Sequence, residues 1–157
     1  MTRLDRDTFG IVLLTKNAHI HALMQAADVR KTYHALTLGG PAEHCGTIDA
    51  PIARKPLPSL LREVQDDGKP SVTEYEVLEQ SEKLCKLALR PVTGRTHQLR
   101  VHCAHMGFPI VGDPQYGGEE AMEFGWSHQA LCAKRLQFRH PITGEEMVLK
   151  SKLDVNI

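Results

Sequence analysis

Two polar segments of this chain carry side chains that could do chemistry together. Asp5 lies in a charged stretch near the start of the chain, and Arg100 lies in a basic segment much further along it. If the fold brings them together, the guanidinium would keep the carboxylate ionised where burial would otherwise raise its pKa. An ionised, partly desolvated aspartate can act as a nucleophile or a base. Taken alone, Asp5 is more typical of a turn or capping carboxylate, so the pair is a hypothesis about the fold.

The basic segment over residues 90–102 joins an alternating, strand-like run to a helix-like run. Thr93-Gly94 predicts a turn, and Thr96 is predicted to cap a helix over residues 96–106. The polar start of a helix attracts anions, because its first N–H groups have no partner within the helix. The segment is therefore a candidate site for phosphate or ribose.

The predicted helix over residues 96–106 has an apolar face made by Leu99, Val101 and Ala104, with Arg100 turned elsewhere. The candidates for contacts to phosphate or ribose at its start are Arg95, Thr96, His97 and Gln98. A capped helix with solvated charges fits the same pattern, so both interpretations stay open.

Tyr33 lies in an alternating segment, residues 31–38, that predicts a strand. Its ring is either a core side chain with a bonded hydroxyl or a flat platform on which a base or sugar could stack. Three histidines, His97, His102 and His105, raise the question of a metal site. Their spacing does not place all three on one helix face, and no HExxH motif is present, so we expect no metal ligands here.

Composition is typical of one globular domain of 157 residues. The chain has 19 Lys and Arg against 19 Asp and Glu, which is weak evidence against a nonspecific nucleic-acid coat. A local basic groove stays possible, because positive residues are dense between Lys83 and Arg100. No apolar run is long enough to span a membrane and no signal-peptide pattern is present, so a cytoplasmic location is expected. The four cysteines are scattered singly and are expected to be reduced core residues.

Alternation and turn residues predict an α+β domain built on a mixed, mainly antiparallel sheet with flanking helices and loops. A fully apolar run, residues 11–14, predicts a buried strand, and Asn17 is a plausible cap for a helix that follows it. Further strands are predicted over 31–38, 48–52, 72–78, 84–89, 128–138 and 147–149, and a short apolar strand is predicted within residues 107–118. Two pairs of these, 72–78 with 84–89 and the last two, are expected to form hairpins. Residues 119–127 are expected to be an acidic, flexible insert.

Four motifs, in this order, resemble those of the RluA-type pseudouridine synthases: residues 3–10 (Arg-Leu-Asp-Arg-Asp-Thr-Phe-Gly), 31–33 (Lys-Thr-Tyr), 94–102 (Gly-Arg-Thr-His-Gln-Leu-Arg-Val-His) and 107–113 (Gly-Phe-Pro-Ile-Val-Gly-Asp). The match runs from Arg3 to about Leu149. The resemblance implies a pseudouridine-synthase-like sheet with a central cleft. It implies that structured RNA, either rRNA or tRNA, binds in this cleft. It also implies isomerisation of uridine to pseudouridine without cofactor or metal.

The same resemblance implies roles for four residues. Asp5 would be the catalytic carboxylate that acts to break the N-glycosidic bond, and Arg100 would be the basic residue that pairs with it. Tyr33 would stack on the uracil and help to remove the C5 proton. Arg3 would occupy the space of the extruded base.

Two departures from the family pattern bear on activity. Phe9 stands where the family usually has serine, which adds bulk near the active loop. Family catalytic domains usually begin well before the Arg-Leu-Asp motif, so residues 1–157 are expected to be one N-terminally shortened catalytic domain without a separate S4-like RNA-binding domain. A shortened domain would be less stable, or would pair its exposed sheet edge with a second copy. The alternative to an active enzyme is a catalytically inactive RNA-binding fragment or homologue.

Overall fold

Alternating apolar and polar residues along the chain form one large sheet. The computed structural model describes residues 2–157. In chain order, the strands are β1 (Phe9–Gly10), β2 (Arg30–Leu38), β3 (Cys45–Asp49), β4 (Ile52–Arg54), β5 (Arg62–Val64), β6 (Val72–Gln80), β7 (Leu84–Pro91), β8 (Leu131–Arg139) and β9 (Glu146–Lys150), and the helices are α1 (Ala18–Ala26) and α2 (Gln98–His105). The large sheet has the order β1-β8-β2-β7-β6-β3, with β9 also alongside β8, and β4 and β5 form a separate hairpin.

The predicted fold class is confirmed. β1 is parallel to β8, and the other strand pairs described over residues 2–157 are antiparallel. The two expected hairpins are present as β6–β7 and β8–β9. The predicted helix cap also holds, because the side chain of Asn17 accepts a hydrogen bond of 2.9 Å from the backbone N–H of Ile20.

The core lies where β2 and β7 run side by side in the middle of the sheet. Ala35, Leu36, Leu87 and Leu89 on these strands are almost completely buried. α2 and the segment after it cover this face of the sheet with Leu99, Cys103, Phe108, Ile110 and Val111. Burial of these side chains supplies the main driving force that holds α2 and its polar neighbours in place.

The predicted buried strand over residues 11–14 is wrong. This segment is extended but forms no strand, and its second and fourth residues, Val12 and Leu14, are 47% and 69% exposed. Its backbone bonds to the start of the chain, where the backbone N–H of Leu13 donates to the hydroxyl of Thr2. An unbroken apolar run predicts burial on both faces, whereas this segment lies at the rim of the sheet and buries side chains on one side only.

Four further expectations need correction. The short apolar strand predicted within residues 107–118 reduces to an isolated bridge between Ile110 and Thr37, and the predicted strand over 48–52 is displaced to β3. The expected flexible insert, residues 119–127, contains a short 3-10 turn. Ala121 in this turn is fully buried, and its carbonyl accepts a hydrogen bond from the backbone N–H of Gly112. Cys45 is exposed on β3, whereas the other three cysteines are buried as expected. Residues 2–157 contain no helix that is both long and apolar enough to cross a membrane.

Candidate active site

The loop before β1 places Asp5 at the floor of a cleft. The backbone N–H of Thr8 bonds to the carbonyl of Asp5, and the amide of Gln129 donates to the carbonyl of Arg6 and to the hydroxyl of Thr8. Gln129 is buried, so its two hydrogen bonds fasten the loop to the segment that leads into β8. A side chain on a loop tied down in this way is held in a fixed position.

Arg100 lies beside Asp5 and is buried, with its side chain turned toward polar partners. Its guanidinium makes a two-pronged ion pair with Asp113, at 2.8 Å from Nε and 2.9 Å from Nη2. Nη2 also donates to Oε1 of Gln115 at 2.8 Å. Burial acts to lower the pKa of Arg100, but the hydrogen bonds and charge of Asp113 outweigh it, so the net pKa is raised. The arginine is therefore a permanent positive charge within the site.

The structure brings Asp5 and Arg100 together. Oδ2 of Asp5 lies 3.7 Å from Nη1 of Arg100, and the side chain of Asp5 is 28% exposed whereas that of Arg100 is 4% exposed. Asp113 contacts the guanidinium of Arg100 on one side at 2.8 Å, and Asp5 contacts it on the other at the longer distance of 3.7 Å. A partly exposed carboxylate in this position can reach a bound molecule while it keeps its contact to the buried cation.

The cleft in front of Asp5 has a volume of about 250 Å³. Its polar lining includes Arg3, Asp5, Lys31, Tyr33, Arg95 and His97. The three basic side chains outnumber the carboxylate, so the cleft favours an anionic ligand. Burial, and then the charge of Asp5, raise the pKa of Tyr33 to about 12, so the phenol is protonated at neutral pH.

The predicted helix cap at Thr96 is wrong. α2 begins at Gln98, and its N-cap is His97, which has a left-handed backbone (φ 56°) and no side-chain capping bond. Thr96 is exposed and lines a neighbouring depression beside the β4–β5 hairpin instead of the Asp5 cleft. Arg95 lines both cavities, and its Nε donates to the carbonyl of Pro70 at 2.9 Å.

The side chain of Gln98, a predicted RNA-binding residue, makes all of its hydrogen bonds within the protein. Its side chain is almost fully buried, and Oε1 accepts from the hydroxyl of Thr93 and from the backbone N–H of Arg95. Its Nε2 donates to the carbonyl of Val72 and to the hydroxyl of Thr73. The amide has two donors and one acceptor oxygen, and all are used. Gln98 thus shapes the loop that lines the cleft, and its role in binding RNA stays a prediction.

His102 continues this buried network. Its Nε2 lies 2.9 Å from the carbonyl oxygen of Ala50 and must donate to it, so Nδ1 accepts from the hydroxyl of Thr73 at 2.8 Å. The ring is fully buried, and burial lowers its pKa below the ordinary value of 6.5. Both ring nitrogens serve the fold, and residues 2–157 contain no cluster of side chains suited to a metal ion.

We expect the free energy of unfolding to fall as pH drops below 6.5, partly because of His102. In that range His102 takes up a proton in the unfolded chain more readily than in the folded chain. Its contribution to the free energy of unfolding is therefore full above the pKa of the unfolded chain, and it is lost as pH falls through the pKa of the folded chain. The His102→Gln variant should show a shallower loss in urea unfolding measured at a series of pH values. His19→Gln, which removes an exposed imidazole from α1, is the control. If the free energy of unfolding of His102→Gln depended on pH as steeply as that of the parent chain, this assignment would be contradicted.

Two residues of the site were missed in the sequence. Asp113 holds Arg100, and the ring of Tyr116 lies 5.0 Å from the guanidinium carbon of Arg100. The hydroxyl of Tyr116 lies 2.7 Å from Nδ1 of His97. One signal for Asp113 was available, because an arginine on a buried helix needs a carboxylate and a Gly-Asp-Pro turn follows that helix. Nothing local in the sequence distinguishes Tyr116.

Comparison with known proteins agrees with this geometry. Residues 1–105 match the family model described as RNA pseudouridylate synthase. Among curated relatives, an uncharacterized RNA pseudouridine synthase of Bacillus subtilis is 42% identical over 94% of this chain and 52% of its own length. The ribosomal large subunit pseudouridine synthase C of Vibrio cholerae is 35% identical over 99% of this chain and 51% of its own length. This chain thus spans about half the length of the curated relatives it matches.

Solved structures show the same fold. Human RNA pseudouridylate synthase domain containing 1 superposes with a TM-score of 0.73 and 31% identity, over 85% of this chain and 58% of its own. Human RNA pseudouridylate synthase domain containing 4 superposes with a TM-score of 0.64 and 26% identity, over 86% of this chain and 62% of its own. The matched residues, 1–105, include the loop with Asp5, the strand with Tyr33 and the whole of α2. This chain therefore belongs to the RNA pseudouridylate synthase family, as its resemblance to RluA-type enzymes implied.

Proposed function

We propose that residues 1–157 form a catalytic unit that isomerises uridine in RNA to pseudouridine. The observation that carries the proposal is the position of Asp5, a partly exposed carboxylate 3.7 Å from a buried arginine at the floor of a basic cleft. In this reaction the bond between N1 of uracil and C1′ of ribose breaks and a bond between C5 and C1′ forms. C5 loses a proton and N1 gains one, so the composition of the RNA is unchanged and no redox partner is required.

Asp5 acts on the target nucleotide to break its N-glycosidic bond, and Arg100, at 3.7 Å, is the positively charged partner of its carboxylate. Tyr33 stacks on the uracil and relays the proton that C5 loses: its phenolic oxygen takes that proton while the phenolic proton passes to water, because the phenol is protonated at neutral pH. The negative charge of Asp5 is one of the two causes that raise the pKa of Tyr33, so that cause disappears once the carboxylate is bonded to the nucleotide. The two residues are therefore coupled through charge during the reaction.

RNA enters this cleft with its target nucleotide turned out of the helical stack. A base in a stem is out of reach of Asp5 until it flips, at a cost of a few kcal/mol. Stacking on Tyr33 offsets part of that cost, and Arg3, which is exposed beside the cleft, fills the space that the base vacates. Arg95, Lys31 and His97 are placed to contact phosphate or ribose of the flipped nucleotide.

The substrate class is large-subunit ribosomal RNA. The relatives from Vibrio cholerae and Xanthomonas campestris carry names that refer to the ribosomal large subunit, and they support this choice over tRNA. The test is release of tritium from C5-labelled transcripts of ribosomal RNA and of tRNA, with a chelator present because the proposed chemistry uses no metal. Release from ribosomal RNA in excess of tRNA supports the proposal. RNA binding without any release would favour the inactive RNA-binding alternative.

Removing the hydroxyl of Tyr33 should separate its two roles. For Tyr33→Phe we expect kcat to fall by about a hundredfold, a typical effect of losing one proton-transfer group, with KM within a few-fold of the parent value. For Tyr33→Ala we expect KM to rise as well, because stacking of a base on an aromatic ring is worth about 1–3 kcal/mol. Steady-state tritium release measures both constants. Equal kcat values for Tyr33→Phe and the parent chain would exclude the proton-transfer role.

Self-association through an exposed sheet edge stays a prediction. β3 has one strand neighbour, β6, and it is an edge strand of the part of the chain that the structure describes. Unpaired backbone groups on such an edge can pair with a second copy. We expect sedimentation velocity to show a dimer whose fraction rises with protein concentration. The reducing agent must be kept in excess, because Cys45 lies exposed on β3 and would otherwise form disulfides. A monomer at all concentrations would contradict the prediction.

A further inference from the structure

Tyr116 connects three parts of the active site that are distant along the chain. Its hydroxyl oxygen lies 2.7 Å from Nδ1 of His97 and accepts a hydrogen bond of 3.0 Å from the backbone N–H of Arg62 in β5. Its ring meets the ring of His97 edge to face and lies 5.0 Å from the guanidinium carbon of Arg100. The side chain therefore links the β4–β5 hairpin to the start of α2 and to the charge that faces Asp5.

The hydrogen bond between Tyr116 and His97 has one direction that satisfies both groups. The backbone N–H of Arg62 can only donate, so it uses a lone pair of the phenolic oxygen, and the phenolic proton still needs an acceptor. Among residues 2–157, the acceptor within hydrogen-bond distance is Nδ1 of His97. If Nδ1 carried a proton, the half-buried hydroxyl would lose its acceptor in the protein. The arrangement that satisfies every group within the protein has Tyr116 donating to an unprotonated Nδ1.

The proton of the neutral ring then resides on Nε2 of His97. Nε2 has no hydrogen-bond partner in the described part of the chain, and no buried side-chain nitrogen or oxygen there lacks one, so Nε2 is open to solvent. His97 lines the cleft that holds Asp5. An N–H group in this position can donate to an oxygen of a molecule bound in the cleft.

Electrostatics also favour the neutral ring. Burial lowers the pKa of His97, and the nearby cations lower it further, while the nearby carboxylates act in the opposite direction. The charged and titratable groups that face the ring from the surrounding elements are Asp5, Arg62, Arg100, Asp113 and Tyr116. The net effect is a lowered pKa, so the ring is neutral at and above neutral pH.

We propose that Tyr116 is a positioning residue that holds His97 as its Nε2–H tautomer, and that this N–H donates a hydrogen bond to an oxygen of the nucleotide in the cleft. His97 has a left-handed backbone at the N-cap of α2, and Tyr116 fixes the rotation and tautomer of its ring. The second half of the proposal rests on the proposed function, since it takes the ligand to be a nucleotide. The first half stands on the geometry of the free protein.

Long-range proton–nitrogen NMR of the free protein tests the tautomer directly. We expect the His97 signals at neutral pH to show an unprotonated Nδ1 and a protonated Nε2. In Tyr116→Phe the same signals should move toward a mixture of tautomers. Tyr75→Phe is the matched control, because Tyr75 lies in the core against Phe108 and its hydroxyl makes no hydrogen bond within residues 2–157. A protonated Nδ1 in the parent chain, or unchanged signals in Tyr116→Phe, would overturn the proposal.

Nucleotide titration tests the donor role without turnover. Adding uridine 5′-monophosphate should shift the Nε2–H signal of His97, and comparison with uridine shows whether a phosphate oxygen or an oxygen of the nucleoside is the acceptor. An unshifted signal at saturation would overturn the donor role. This readout is independent of catalysis, so it remains decisive even if the chain releases no tritium and the proposed function fails.

Kinetics supply the second readout. Tyr116→Phe should lower kcat by about ten- to a hundredfold, the size of effect expected when a contacting group is displaced. His97→Gln, which retains an N–H donor at the position of Nε2, should be about tenfold more active than His97→Ala. Equal activities of these two variants would overturn the assignment of Nε2–H as the donor, and Tyr116→Phe with parental kcat would overturn the positioning role.

Discussion

Replacing Asp5 with asparagine is expected to lower tritium release from C5-labelled RNA by about a thousandfold or more, within the range over which a positioned reacting group acts. Asparagine has the same shape, but it cannot become a nucleophile or take a proton as a carboxylate does. The change also removes one of the two negative charges that face Arg100, at 3.7 Å, while the tighter ion pair with Asp113 remains. The fold should therefore persist while the chemistry stops.

Asp7→Asn is the matched control for this experiment. Asp7 lies on the same loop as Asp5 and is partly exposed, with ion-pair distances of 3.8 Å to Arg6 and 3.4 Å to His128. Its backbone is left-handed (φ 67°), a conformation that asparagine tolerates well. We expect Asp7→Asn to retain activity within a few-fold. Parental activity in Asp5→Asn, or equal loss in both variants, would remove the basis for the proposed mechanism.

Replacing Asp113 with alanine should lower the free energy of unfolding by about 3–5 kcal/mol, because it leaves the buried charge of Arg100 without its main partner. The side chains of Asp113 and Arg100 are 0% and 4% exposed, so water cannot take over the lost interactions. Asp113 also accepts the backbone N–H groups of Gln115 and Tyr116, so the turn that carries Tyr116 should loosen. Urea unfolding followed by circular dichroism measures the change.

An exposed ion pair provides the control for Asp113. Glu76 lies 2.9 Å from Arg90, and both side chains are about two-fifths exposed, so Glu76→Ala should leave the unfolding midpoint close to the parental value. A double variant, Arg100→Met with Asp113→Leu, should recover part of the lost stability, because it removes both buried charges. Its catalytic activity should not return. An effect of Asp113→Ala no larger than that of Glu76→Ala would contradict the structural role of this pair.

The sheet was largely predictable from the sequence because strand signals are local. Alternation over residues 72–78 and 84–89 defines which side chains face the core, and the short polar turn between them leaves a hairpin as the simple solution. The failures occur at the rim of the sheet. The apolar run over residues 11–14 has the composition of a buried strand, but burial depends on what packs against it, and that is decided by distant parts of the chain.

Part of the candidate site was also predictable, and for a different reason. Asp5, Tyr33 and Arg100 occur within short motifs whose residue types match a known chemistry, so their identity pointed to the family before any coordinates were considered. Asp5 and Tyr33 line the same cleft, and Arg100 lies 3.7 Å from the carboxylate of Asp5, but the catalytic roles of all three remain proposals.

By itself, the sequence determined the family of this chain, its mainly antiparallel sheet and the pairing of its hairpins. Only the tertiary structure decided that Gln98 is fully used within the protein, that Thr96 caps nothing and that Asp113 is the main partner of Arg100. The physical reason is that periodicity and turn chemistry act over a few residues. A buried polar group, in contrast, is satisfied by whichever donor or acceptor the completed fold brings next to it, regardless of its distance along the chain.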